Sequence, residues 1–339
     1  MSSAFPLVRA ADISPFVRWQ HDNGRPIDEL LQQAGLADAP WEVPDQLVAL
    51  TGVLACMKTM GRQEGPDIGC RVVSDTSIAE LGELGALLLG GGTPRGALKR
   101  LCAAISGHST HEVFSVVAVQ GGVIVSEQMT LDLDAATLHI VQQYVATLIR
   151  SLCKLTGYPG EPLGRIEITP HPEFGVAHLA SKLGQRIVPA RSGRLTVFVP
   201  DAVLDRPLLM SARGAGLQHP SKDWRPLRAE GRFETTARHF IRAMLDDGAA
   251  SVERFAKASG LSLRTVQRRL AAEETTFSKL LDDARRERAQ ELLSAGSARI
   301  GAVAGELGYT SHSAFVRAVR RWEGRPPMQL RLRGRIGGG

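Results

Sequence analysis

Two copies of one short pattern, 48 residues apart, constrain this chain more than any other feature. The first reads Ala256-Lys257-Ala258-Ser259-Gly260-Leu261-Ser262 and runs into a stretch that sets Val266 and Leu270 on one helical face. The second reads Ala304-Gly305-Glu306-Leu307-Gly308-Tyr309-Thr310 and runs on to Phe315 and Val319. Ala followed four residues later by Gly, then an apolar residue and Ser or Thr, is what two helices joined by a tight turn require. The small Ala lets the helices cross closely. Gly takes the positive-φ position that ends the first helix. Ser262 and Thr310 are suited to cap the second. Val266 lies six residues after its Gly and Phe315 seven after its own, so the second turn is expected to be one residue longer.

Each second helix directs a set of side chains outward. In the first these are Arg264, Gln267 and Arg268, with Ser262 and Thr265 at the helix start. In the second they are His312, Ser313, Arg317 and Arg320, with Thr310 and Val316 beside them. Arg pairs well with guanine and Gln with adenine in a major groove, so these positions are candidate DNA contacts. A third helix is expected between the units, over 277–294, with Thr276 capping its start and Gly296 just past its end. Phe277, Leu280, Leu281, Ala284 and Leu292 recur along it at helical spacing and should pack against both units. One such rod could hold two recognition helices about one DNA turn apart, ~34 Å, on the same side of a duplex.

Charge follows the same division. The chain of 339 residues has 41 Lys and Arg against 35 Asp and Glu. From Arg232 to the end there are 20 basic and 12 acidic residues, while the remainder is slightly acidic. The excess positive charge is therefore confined to the part that would neutralise phosphates.

The C-terminal hundred residues resemble the AraC/XylS family of bacterial transcription regulators. The resemblance rests on the paired Ala-x-x-x-Gly turns, on Ala289-Gln290-Glu291-Leu292-Leu293, and on the run from Leu307-Gly308-Tyr309 through Arg321-Trp322-Glu323-Gly324. Pro326 and Leu330 depart from the family pattern, whereas Pro327 and Arg331 keep to it. The front of the chain is similar to the arabinose-binding-like domain of one branch of that family. Here the match rests on Leu81-Gly82-Glu83-Leu84-Gly85-Ala86-Leu87-Leu88, Thr93-Pro94, His171-Pro172 and Leu204-Asp205-Arg206-Pro207-Leu208, and is looser. The label does not make arabinose the ligand.

What the resemblance implies is a sequence-specific regulator of transcription, with activation through RNA polymerase favoured over repression. It would bind promoter DNA, sense a small-molecule effector and form a homodimer. An enzyme carrying an AraC-like part, such as a DNA-repair methyltransferase, is the rival from another class, and an architectural DNA binder is a third. The methyltransferase reading needs clustered cysteines. Cys56, Cys70, Cys102 and Cys153 are scattered, which also suits a reduced, cytoplasmic setting. No apolar run reaches the length of a membrane span, and the N-terminus lacks a signal pattern, so a soluble, unexported protein is expected.

The expected architecture is an α+β N-terminal sensor domain over 1–206, a linker over 207–231 and an all-α domain over 232–332, in which a long helix joins two helix-turn-helix units. Along the N-terminal part the periodicity predicts helices over 26–35, 44–60, 78–89, 94–105, 134–156 and 172–183. A hairpin is predicted over 111–130 about Gly121-Gly122, with strands over 165–169, 186–189 and 194–199 and a short helix over 201–204. Residues 1–25 read as a short helix or a packed arm. The segment 207–231, rich in Pro, Gly and Arg, reads as linker, and 333–339 as a frayed tail.

Other features favour plain readings. His108 and His111 lack a third ligand at matching spacing, so no metal or other cofactor is expected. His171, before Pro172, is expected to cap a turn. Gly90-Gly91-Gly92-Thr93-Pro94 has no Lys-Ser/Thr after it, so it is a turn and not a phosphate loop. Asp282 and Asp283 beside Arg285 and Arg286 suggest pairs along one solvated helix face. The apolar stripe from Leu138 to Leu155 is read as core before dimer seam. No catalytic set such as Ser/His/Asp or paired carboxylates stands in a recognisable frame, so no enzyme activity is expected. The effector's contact residues are not legible.

Overall fold

The computed structural model describes residues 6–36, 43–212, 214–217, 227, 232–246, 250–294, 299–309 and 311–330. Contacts divide the chain into one unit of residues 6–228 and another built on residues 229–339. Thr310, Gly296, the 218–226 stretch and the 333–339 tail, all singled out above, lie outside the described residues.

The N-terminal unit runs β1 (Leu7–Arg9), α1 (Ser14–Asp22), α2 (Ile27–Gln33), β2 (Leu47–Ala49), α3 (Leu50–Glu64), α4 (Ile68–Arg71), α5 (Ser77–Glu80), α6 (Gly82–Leu89) and α7 (Pro94–Ala104). It continues with β3 (Glu112–Val119), β4 (Gly122–Met129), α8 (Ala135–Lys154), β5 (Ile166–Ile168), α9 (Ala180–Leu183), β6 (Ile187–Pro189), β7 (Arg194–Pro200) and α10 (Asp201–Leu204). The larger sheet has the order β3-β4-β7-β5-β6 and is antiparallel except where β5 meets β6. β1 and β2 form a separate antiparallel ribbon. The α+β architecture expected from sequence is present.

α8 is the spine of this unit. Asp134 caps it by accepting the Thr137 N–H at 3.0 Å. Its 20 residues span about 30 Å. Ile140, Val141 and Tyr144 face one apolar cluster, with Phe16, Val53, Met57 and Met60. Val145, Ile149 and Leu152 face a second, with Leu84, Leu88, Leu98 and the sheet residues Val123, Val125 and Val197. The Leu138–Leu155 stripe is therefore core. α4 lies close against it because residue 69 is Gly: a Cβ there would stand 2.4 Å from the Ile140 carbonyl oxygen.

Three stretches differ from their expected form. Within 44–60, Leu47–Ala49 is a strand and the helix starts at Leu50, because Val48 pairs with Val8 and all three strand residues are buried. The 78–89 helix is broken before Gly82, whose φ is +59°. There the Asp45 carboxylate accepts the Glu83 N–H at 2.9 Å and starts α6 afresh. Residues 172–183 hold a 3-10 turn (Ala177–Leu179) and a short final helix in place of one long helix. His171 Nδ1 accepts the N–H groups of Glu173 and Phe174 at 3.2 and 3.3 Å, so the expected cap closes a turn.

The start of the stretch read as linker is held by this unit. Leu208 N–H donates to the Gly92 carbonyl at 2.9 Å and Leu209 N–H to that of Leu155 at 2.8 Å. Leu208, Met210, Ala215 and Leu217 pack against the core.

The C-terminal unit is all helical: α11 (Phe233–Asp246), α12 (Val252–Ala258), α13 (Leu263–Ala272), α14 (Phe277–Ser294), α15 (Ile300–Glu306) and α16 (His312–Glu323). α14 is the connecting rod, and the Thr276 hydroxyl accepts the Lys279 N–H at its start, as expected. Phe277, Leu280 and Ala284 of α14 are buried. The Phe277 ring lies 5.6 Å from that of Phe255. Ala289 and Leu293 join Val303, Ala304, Leu307, Phe315 and Val319 in a second cluster. Leu281 and Leu292, expected in the core, are only half-buried. Among the described residues, no helix is long and apolar enough to cross a membrane.

Candidate functional site

The two turns are built alike. Gly260 and Gly308 have φ of +66° and +71°, where other residues are strained. After the first, Leu261 N–H donates to the Ala256 carbonyl at 2.9 Å and Gly260 N–H to that of Lys257 at 3.2 Å. After the second, Tyr309 N–H reaches Ala304 at 3.0 Å and Gly308 N–H reaches Gly305 at 2.9 Å. This doubled bond pattern satisfies the carbonyls that the ending helix leaves open. Ala256 and Ala304 are both buried beneath it.

The Ser262 hydroxyl caps α13 by accepting the Thr265 N–H at 3.2 Å. It also bonds the Thr265 hydroxyl at 2.9 Å, so both side chains have work within the protein. In the second unit the cap is Ser311, which accepts the Ala314 N–H at 3.2 Å. The cap expected at Thr310 thus falls one residue later, because the second turn is one residue longer.

On α13, Val266 and Leu270 point inward while Ser262, Arg264, Gln267 and Arg268 are exposed and Thr265 is half-buried. On α16, Phe315, Ala318 and Val319 point inward, His312, Ser313, Arg317 and Arg320 are exposed, and Val316 is half-buried.

The arginines sort by partner. On the rod side they meet acids or rings. Arg238 lies near Glu234, Asp283 and Glu287, and Arg242 pairs with Glu287 and Glu291. Arg286 pairs with Glu323 and Arg321 with Asp282. Arg285 donates to the Leu307 carbonyl and lies over the Tyr309 ring at 4.9 Å. The expected pairing of Asp282 and Asp283 along their own helix is therefore replaced by bonds to α16 and α11. Arg264, Arg268, Arg317 and Arg320 form no ion pair among the described residues, leaving their guanidinium donors open outward.

A second feature lies in the N-terminal unit. A cavity of about 70 Å³ sits where the two apolar clusters meet on α8. Its walls are chiefly apolar, including Leu54, Met57, Leu88, Leu98, Val145 and Leu152, and its polar side chains are Asp12, His108, Glu112 and Tyr144. His108 Nε2 and the Asp12 carboxylate are 2.9 Å apart. The Tyr144 hydroxyl is buried with no hydrogen-bond partner. Glu127 stands opposite Phe114 on the inner sheet face, and neither carboxylate oxygen has a partner. Burial pushes its carboxyl up to about 7. Burial, followed by the charges of Asp12 and Glu127, holds Glu112 well above the usual carboxylate range.

Sequence reading missed this cavity, since seven separate helices and strands line it, with Asp12, Ile105 and His108 from the segments between. One signal was available: Glu127 interrupts the inward Val123, Val125, Met129 series of β4. A histidine cluster was also missed. His139 Nδ1 donates to the Thr169 carbonyl at 2.6 Å, and its Nε2 lies 3.1 Å from His178 Nε2. Burial lowers the His139 pKa to about 4, so the imidazole is neutral and accepts the His178 N–H. Among the described residues, no group of three or more His, Cys, Asp or Glu is arranged to hold a metal ion.

Residues 24–208 match the family described as the arabinose-binding domain of AraC transcription regulators, N-terminal, and residues 255–333 match a helix-turn-helix domain. The first match covers more than half of the chain. The chain belongs to the AraC family of transcription regulators.

It is 37% identical over 97 residues to the transcriptional regulator VirS of Mycobacterium tuberculosis, a match covering 29% of this chain and 28% of VirS. It is 27% identical over 207 residues to the ornithine utilization regulator of Pseudomonas aeruginosa, covering 60% of each. The crystal structure of the transcriptional regulator CdpR from Pseudomonas aeruginosa aligns over 95% of this chain and 98% of that one, with 20% identity and a TM-score of 0.43. The chain thus spans less than a third of the length of VirS and under two thirds of the ornithine regulator.

Proposed function

We propose that this chain is a sequence-specific regulator that binds promoter DNA through α13 and α16 and responds to a small molecule held in the N-terminal cavity. The observation that carries the reading is the sorting of arginines. Those between helices are neutralised by acids, whereas Arg264, Arg268, Arg317 and Arg320 are left open on the two faces that helix-turn-helix proteins turn to a groove. In this reading Arg264 and Gln267 read base edges in one groove, with His312, Ser313 and Arg317 in the next. Arg268 and Arg320 hold phosphates. Ser262, Thr265, Thr310 and Val316 border the contacts.

The 18 residues of α14 span about 27 Å, a length suited to spacing the two helices about one DNA turn apart. Residues 1–206 sense the effector and dimerise, 207–231 carry the connection, and 232–332 bind DNA. Activation through RNA polymerase in the cytoplasm follows from the family likeness. A ligand acts by binding two domain arrangements with different affinity.

The test is selection of duplexes from a random library by the purified full chain. Enrichment of one motif with two half-elements about 10 bp apart supports the reading. Retention without any enriched motif, as an architectural binder would give, overturns it.

A further inference from the structure

Inside the cavity the chemistry is lopsided. Of its 22 lining residues only Asp12, His108, Glu112 and Tyr144 are polar, so most of any occupant must be hydrocarbon. A sugar would set its hydroxyls against leucines and leave them unbonded, which is unfavourable. The polar side chains carry carboxyl and hydroxyl groups in excess of cations. Asp12 has His108. Glu112 and Glu127 form no ion pair with any Lys or Arg among the described residues. Tyr144 is 3% exposed, lines the cavity, and its hydroxyl has no partner. An unpartnered phenol and the unpaired carboxyl of Glu112 line an otherwise apolar chamber, and a second unpaired carboxyl, Glu127, stands near Glu112.

Resting on the reading of this unit as a sensor, we infer that the effector is a small amphipathic organic cation, its hydrocarbon part among the leucines and its ammonium beside Glu112 and the Tyr144 hydroxyl, with Glu127 near Glu112 behind the cavity wall. A carboxylate ligand would add to the cost of ionising Glu112, where a cation lowers it. A neutral alcohol would satisfy the phenol but leave the carboxyls without an opposite charge. The raised carboxyl pKa values agree with this, because an arriving cation favours their ionised forms. Binding therefore releases protons below neutral pH. The titratable and charged groups around the ammonium site are Asp12, His108, Glu112, Glu127 and Tyr144, with Arg18 farther off and paired to Glu80.

The test is calorimetric titration of the full chain with propylammonium, propanol and propanoate, sized to the cavity of about 70 Å³, in buffers of different ionisation enthalpy at pH 6 and pH 8. Propylammonium is expected to bind at least tenfold more tightly than the other two and to release protons at pH 6. Glu112→Gln with Glu127→Gln should weaken it at least tenfold and abolish the proton release. Circular dichroism and thermal melting check that this variant is folded. Equal or tighter binding of propanol or propanoate, no binding of propylammonium, or unchanged binding by the folded variant overturns the inference. Val145→Phe, which fills the cavity, separates the two levels of the argument. If propanoate binds wild type, shifts its DNA affinity and loses both effects in Val145→Phe, the sensor reading stands and only the cationic class fails. If ligands change DNA affinity equally in wild type and Val145→Phe, the assignment of sensing to this cavity fails as well.

Discussion

The indole N–H of Trp322 donates to the Asp282 carboxylate at 2.8 Å, fastening α16 to the connecting helix α14. Arg321 reaches the other oxygen of the same carboxylate, and one and two turns further along α14 Arg286 and Gln290 meet Glu323. The orientation of α16 on the rod is thus held by polar bonds as well as by Phe315 and Val319 in the core. Asp282→Ala should lower the stability of the C-terminal unit by about 1–3 kcal/mol, because the half-buried indole loses its partner. Urea unfolding followed by Trp fluorescence measures it. The exposed ion pairs of Arg238 and Arg242 contribute much less each, at most about 1 kcal/mol.

The outward faces give a different signature. Arg264→Ala and Gln267→Ala should each cost about 1–3 kcal/mol in operator affinity and relax preference at one base position, with little change in stability. Arg268→Ala should weaken binding to all sequences alike and reduce the salt slope by about one. Fluorescence anisotropy on single-base operator variants at several salt concentrations distinguishes the two kinds of loss.

The caps are a third prediction. Ser262→Ala and Ser311→Ala should each destabilise the C-terminal unit by about 0.5–2 kcal/mol, since each hydroxyl satisfies a backbone N–H that no helical carbonyl reaches. Ser→Asp at either position should retain most of the stability. Chemical denaturation of the four variants checks the ranking.

A pH dependence follows from Glu127. Its folded pKa is about 7, against an ordinary value of 4.5, so between those values the folded state holds a proton that the unfolded state releases. Stability therefore falls as pH rises from about 4.5 to about 7, and Glu112 acts in the same sense. Glu127→Gln should melt at a higher temperature than wild type at pH 8, with the difference closing towards pH 4. A thermal melt series over that range reads the slope directly.

What was legible in the sequence was local. Gly260 and Gly308 announce their turns through conformations that few other residues adopt, and Thr93 and Asp134 announce helix starts through bonds to residues three positions on. The extra residue in the second turn could be read from spacing, although its cap moved from Thr310 to Ser311. What was not legible depends on partners far away in the chain. Leu47–Ala49 looks helical until Val8 pairs with Val48. Asp282 and Asp283 look like members of pairs on their own helix until Arg321 and Arg238 reach them. The cavity gathers residues from Asp12 to Leu152, so periodicity in one window could not reveal it.

The central claim is that two outward helical faces grip one side of a duplex. Hydroxyl-radical footprinting on the selected operator tests it most directly. Two protected patches about 10 bp apart on one face are expected. Arg264→Ala with Arg268→Ala should erase one, and Arg317→Ala with Arg320→Ala the other. Protection on opposite faces, or a footprint that neither double variant alters, would contradict the account.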